Sequence, residues 1–166
     1  MKQNIIKENV KKYIKSLSLQ YQDINIFLND LIQYYHWTDA EFYEFKKQFR
    51  WTKHWYTPSN TAWSFFTDNK ELALTFWKNL KECFIFSNNT KTINAEFKNY
   101  WEFKHELNNI LDAILNNKNN IDILIIKNYY DCWIYWKTRV LWDQYVVFDE
   151  CNIFTKEELI DIYNSK

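Results

Sequence analysis

Not one of the 166 residues is glycine, and Pro58 is the single proline. Glycine enters left-handed backbone conformations without steric cost, and proline fixes tight turns. A chain without them must turn on Asn, Asp and Ser, whose short polar side chains bond to neighbouring backbone. The absence also removes chemistry. A P-loop and a dinucleotide-binding fingerprint need glycines so that backbone N–H groups can approach phosphate closely. The GxSxG nucleophile elbow is missing for the same reason. These letters argue against the common nucleotide-dependent enzymes and the serine hydrolases.

The chain has ample material for a core: 47% of it is hydrophobic and 20% aromatic. That is the composition of a globular domain rather than a disordered segment. The expected organisation is a single domain over residues 1–166, with residues 1–17 as a possible helical arm. Formal net charge is zero, so no global field draws it to nucleic acid or anionic membrane. Charge is nonetheless segregated. Residues 1–15 carry five lysines against Glu8, residues 16–45 carry five acids and neither Lys nor Arg, and Lys46, Lys47, Arg50 and Lys53 form a second basic block. No uncharged apolar run reaches the length of a membrane-spanning helix. The lysine-rich N-terminus reads as a structural helix rather than a targeting peptide, since it lacks arginine and contains Glu8. Cys83, Cys132 and Cys151 are odd in number and far apart, which fits free buried thiols better than a disulfide framework or a zinc site.

Helical periodicity dominates the reading. Ile6, Val10, Tyr13, Ile14 and Leu17 share one face, and Ile24, Phe27, Leu28, Leu31, Ile32 and Tyr35 repeat the pattern. "WTDAEF" is a capping box, with Thr38 as N-cap, Glu41 at the third helical position and Trp37 with Phe42 as staple, predicting a helix to about Trp55. Thr57 and Pro58 break it, and a short helix is expected around 60–66. Asp68 with Glu71 predicts a helix running through Leu74, Trp77, Leu80 and Phe84 to Phe86. Another is expected from Ala95 through Leu107 and Leu111 to Ile114, ending in "NNKNN". Ile121 to Trp142 is apolar on every face and reads as a buried central helix, although "IDILII" alone is compatible with a strand. "YVVF" looks extended. "FTKEEL" gives a second capping box, Thr155 with Glu158, and a Phe154–Leu159 staple. The fold class these patterns predict is all-α: an irregular single-domain bundle of six to eight helices with at most one short strand.

No motif points to a metal, a cofactor or a catalytic constellation. His36, His54 and His105 are scattered, with no HExxH or CxxC spacing. Acidic pairs such as Glu157–Glu158 suit helix capping better than acid–base chemistry. The expected roles are non-enzymatic and cofactor-free. The one candidate site is the cluster of Lys46, Lys47, Arg50, Trp51, Lys53 and His54. Cations beside aromatics suit loop or single-stranded RNA. Favourable charge at a helix C-terminus and Arg–Trp packing within the fold produce the same letters, and so does a protein interface. The three readings stay open.

Asn, Lys, Ile, Phe and Tyr fill about half the chain, whereas Gly and Pro are depleted. That bias follows AT-rich codons. Nine tryptophans conflict with it unless TGA as well as TGG is read as tryptophan. In this respect "NYYDCWIYWKTRVLW" and "ILNNKNNIDILII" resemble proteins encoded in ciliate mitochondrial DNA. The resemblance spans the whole chain, is compositional and matches no family motif, so it assigns no functional residue. It implies a matrix-side mitochondrial location. The expected function is a non-catalytic structural subunit of a large mitochondrial assembly, foremost a peripheral ribosomal protein. Its partners would be other protein subunits and, through Lys46–His54, rRNA. The alternatives are a matrix-side accessory subunit of a respiratory complex or ATP synthase, and a small inhibitor or interaction protein from an AT-rich bacterium or its phage, located in that cytoplasm.

Overall fold

A computed structural model of the chain describes residues 2–38, 64–76, 79–96, 100–116, 121–129 and 141–165. It is a mixed α/β fold. In chain order the elements are helix α1 (Lys2–Ser18), α2 (Ile24–Asp30), strand β1 (Tyr34–Thr38), β2 (Ser64–Phe66), α3 (Lys70–Phe76), β3 (Asn79–Ile85), β4 (Thr90–Asn94), α4 (Tyr100–Asn116), β5 (Ile123–Tyr129) and β6 (Trp142–Val147). A 3-10 turn (Glu150–Asn152), β7 (Ile153–Phe154) and α5 (Lys156–Asn164) complete the series.

Two sheets result. β1, β3 and β7 form a three-stranded sheet in the order β1-β3-β7, and the other four strands are ordered β2-β6-β5-β4. Every pairing is antiparallel except β4 with β5, which is parallel. A parallel pair needs a crossover long enough to carry the chain back, and α4 lies in that connection. Tyr35 and Thr67 exchange backbone hydrogen bonds of 2.8 and 3.1 Å, stitching β1 to the end of β2 and so joining the sheets.

The strand alternation sorts side chains into three apolar layers. Cys83 and Ile85 of β3, Ile123 and Ile125 of β5, Tyr145 and Val147 of β6, Phe66 and Ile153 meet in a core between the two sheets. Residues of opposite parity point outward. Phe84, Phe86 and Phe154 pack against Ile14 of α1, Phe27 and Leu28 of α2, and Leu159 and Ile162 of α5. On the far side Leu124, Ile126 and Val146 pack against Phe103, Leu107 and Leu111 of α4. Helices therefore cover the outer face of each sheet.

The all-α expectation fails, and the reason is the same at each place. The Ile121–Trp142 segment is not a central helix: it contains β5 and reaches β6, with residues 130–140 outside the described set. An apolar run without helical period is what a strand buried on both faces looks like. The predicted helix to Phe86 stops at Phe76 and is followed by β3; its cap is Asn69, whose Oδ1 accepts from the Leu72 N–H at 2.9 Å, one residue after Asp68. The second helix ends at Asp30, with Leu31 extended at its C-cap, and Tyr34 and Tyr35 belong to β1. Thr38 is the last residue of β1, paired with Asn79, and the helix expected from there to about Trp55 lies outside the described residues. Ser64–Phe66 is a strand where a short helix was expected. The α1 and α4 helices stand, α4 beginning at Tyr100 and not at Ala95, and the extended reading of "YVVF" holds for Tyr145–Val147 in β6, with Phe148 in a bend. Thr155 caps α5 with the full reciprocal box: its hydroxyl accepts from Glu158 N–H at 3.2 Å while the Glu158 carboxylate accepts from Thr155 N–H at 2.9 Å.

Candidate functional site

Lys46, Lys47, Arg50, Trp51, Lys53 and His54 lie outside the described residues, as do Cys132 and Arg139. His36 is on β1, with its ring centroid 5.2 Å from that of Phe66, and His105 is on the exposed side of α4, so these two share no site. Among the described residues no group of three or more His, Cys, Asp or Glu could hold a metal ion, and no helix is long and apolar enough to cross a membrane.

Three polar or surface features were not legible as sites. The first is a tyrosine pair at the margin of the inter-sheet core. Tyr34 of β1 meets Tyr145 of β6 edge-on, with centroids 4.7 Å apart, and Tyr145 donates to the Asp68 carboxylate at 3.1 Å. Burial, then the Asp68 charge, pushes the Tyr34 phenol up to about 12. The same causes raise Tyr145. Cys83, fully buried beside them, is raised well above an ordinary thiol by desolvation alone. Burial therefore favours the neutral form of all three groups.

The second feature sits where the β5–β6 register shifts between Ile126 and Tyr129. Asn128 adopts φ of 52°, the only positive-φ residue among those described. Asparagine tolerates this because its side chain bonds locally. Here its Nδ2 donates to Asn94 Oδ1 at 3.1 Å and to Glu96 at 3.3 Å, while its backbone N–H donates to Asp143 at 3.2 Å. Lys127 forms an ion pair with the same Asp143. This cluster fixes the bulge and ties β4 to it.

The third feature is apolar. Eight large hydrophobic residues are exposed among those described, and six of them fall between Ile5 and Ile32: Ile5, Ile6, Tyr13, Leu19, Ile26 and Ile32. Leu19 is 73% and Ile32 60% exposed, so these side chains are not the margins of a buried stripe. The inner side of the same helices is well held. Lys7 forms a 2.9 Å ion pair with Glu158, its ammonium 5.5 Å from the Phe154 ring centroid, and Lys15 donates to the Tyr163 carbonyl at 2.6 Å. Sequence periodicity found the buried face of α1 through Ile14 but could not separate it from the apolar residues left outside.

Comparison with protein-family models, with curated proteins and with solved structures gives no match.

Proposed function

We propose that this chain is a non-catalytic structural subunit of a large mitochondrial assembly, in first place a peripheral ribosomal protein held mainly by protein contacts. The observation that carries this reading is the concentration of exposed apolar side chains on α1, α2 and the residues that flank α2. Large apolar side chains left in water are costly, and a concentration of them supports a contact with other proteins. Zero net charge suits a peripheral place better than one embedded in rRNA, where proteins are basic. The tryptophan excess in an AT-biased chain supports the mitochondrial location.

A second reading, a matrix-side accessory subunit of a respiratory complex or ATP synthase, draws on the same apolar surface, with membrane subunits as the partner. Sedimentation after mild detergent lysis separates the two. Co-migration of the tagged chain with a ribosomal subunit supports the first reading, and co-migration with a respiratory complex supports the second. Migration as a free small protein refutes both. In the gene, TGA at several tryptophan positions is the expected result; TGG at all nine removes the mitochondrial argument.

A further inference from the structure

The chain crosses from the three-stranded sheet to the four-stranded sheet between β3 and β4, and returns between β6 and β7. The two crossings touch, because the Phe86 N–H donates to the Asn152 carbonyl at 2.9 Å. Both also meet Asp122, the residue before β5. From the first crossing, the Asn89 carbonyl accepts from the Asp122 N–H at 2.9 Å, and the Ser87 hydroxyl donates to the Asp122 carboxylate at 2.8 Å. Ser87 Oγ in turn accepts from the Asn89 N–H at 2.9 Å. From the second crossing, the Phe148 N–H donates to the Asp122 carbonyl at 3.0 Å. One residue therefore clasps both.

The charge of this residue is poorly compensated. Asp122, Ser87 and Asp149 are all half-buried, and the hydrogen-bond partner of the Asp122 carboxylate is a neutral hydroxyl. Among the described residues, the charge that bears on it is that of Asp149, which has the same sign. Asp149 accepts from the Cys151 N–H at 3.0 Å and is thereby held in the second crossing. Lys7 of α1 reaches the same turn, but it bears on Cys151 and pairs with Glu158. Burial pushes the Asp122 carboxyl above its ordinary 3.8; the Ser87 hydrogen bond pulls it down, and the Asp149 charge pushes it up. Stability from a group raised in the folded chain is complete below 3.8 and is lost as pH rises through the folded value.

We propose that Asp122 is a pH-sensitive clasp between the two sheets, closed when its carboxyl is protonated and loosened when it is ionised. A protonated carboxyl keeps acceptor capacity for Ser87 and is free of the repulsion from Asp149. What loosens is the junction, since Asp122 lies outside the ladders of both strands that flank β5. The proposal is independent of the mitochondrial reading.

The test follows amide hydrogen exchange in the full chain from pH 3.8 to neutrality, each rate corrected for the intrinsic rate at that pH. Protection of the amides at positions 122 and 148 should fall as pH rises, with a midpoint above 3.8. Asp122→Asn keeps an oxygen for Ser87 and removes the charge. At neutral pH it should protect both amides better than the native residue does, and its profile should lack the midpoint. Asp149→Asn should move the midpoint down, and Ser87→Ala should move it up. A merely structural hydrogen bond gives the opposite first result, with faster exchange in Asp122→Asn at neutral pH. That outcome overturns the proposal, and so does a midpoint that Asp149→Asn and Ser87→Ala fail to move in opposite directions. Should Asp122→Asn fail to fold, as judged by thermal unfolding, the two opposed shifts decide alone.

Discussion

The phenol of Tyr145 donates to the carboxylate of Asp68 at 3.1 Å, and the ring of Tyr34 stands edge-on to it. Both phenols are raised by burial, so the folded chain holds their protons more firmly than the unfolded chain does. Stability from such groups is complete below the unfolded pKa and is lost as pH rises towards the folded one. Cys151, raised from 9.0 to about 12 by burial and then by Asp149, behaves the same way. Urea unfolding midpoints should fall as pH increases between 9.0 and about 12, with Tyr34 adding to the slope above 10.0. Tyr34→Phe should flatten the upper part of that decline.

Cys83 and Cys151 should resist thiol reagents in the native state, since both are buried and both are raised above the ordinary thiol range. Only the thiolate reacts. Mapping the modified positions by mass spectrometry should find both unlabelled until denaturant is added. Native labelling at Cys83 would contradict its place in the inter-sheet core.

Thr155→Ala should cost about 0.5–2 kcal/mol through loss of the α5 capping box, and Thr155→Ser much less. Phe154→Ala, at a fully buried side chain shared by the sheet and the N-terminal helices, should cost about 3–5 kcal/mol. Chemical denaturation measures both. A Phe154→Ala loss below that of Thr155→Ala would mean the outer helical layer is loosely packed.

Asn128 supplies a test of how a glycine-free chain turns. Asn128→Ala keeps a Cβ at positive φ and loses the bonds to Asn94 and Glu96, whereas Asn128→Gly loses the bonds but relieves the backbone. The alanine variant should be less stable than the glycine variant by about 1–2 kcal/mol. Equal stabilities would show that the left-handed turn carries no strain.

The two capping boxes show where local sequence suffices and where it does not. "FTKEEL" works at Thr155, because the helix it starts has its apolar side, Leu159 and Ile162, turned to a waiting cluster. "WTDAEF" has the same spacing, and there Thr38 is also the last residue of β1, paired with Asn79, a non-local pairing that nothing in six letters encodes; the helix expected after it lies outside the described residues. The same holds for Ile123–Tyr129: alternate isoleucines serve two different cores, and single-chain periodicity cannot tell a doubly buried strand from a buried helix. Asp68 reads in the sequence as a helix cap, a role that Asn69 takes, and nothing local shows it as the acceptor of Tyr145, because the bond spans 77 positions. The basic block Lys46–His54 remains a sequence expectation, outside the described residues.

The pairing of α1 with α5 has a consequence for synthesis. Lys7 meets Glu158 across 151 positions, and Lys15 meets Tyr163 across 148. Ile14, Phe27 and Leu28 share their cluster with Phe154, Leu159 and Ile162. A chain made from its N-terminus therefore emerges with one apolar face of its first helix uncovered, and that face cannot close until residues 153–164 have followed. The β4–α4–β5 unit, contiguous in sequence, is under no such delay. The order of folding is then set by the direction of translation: the α4 layer first and the N-terminal helix last. Through that interval the first segment made is the one most in need of a chaperone or of its partner.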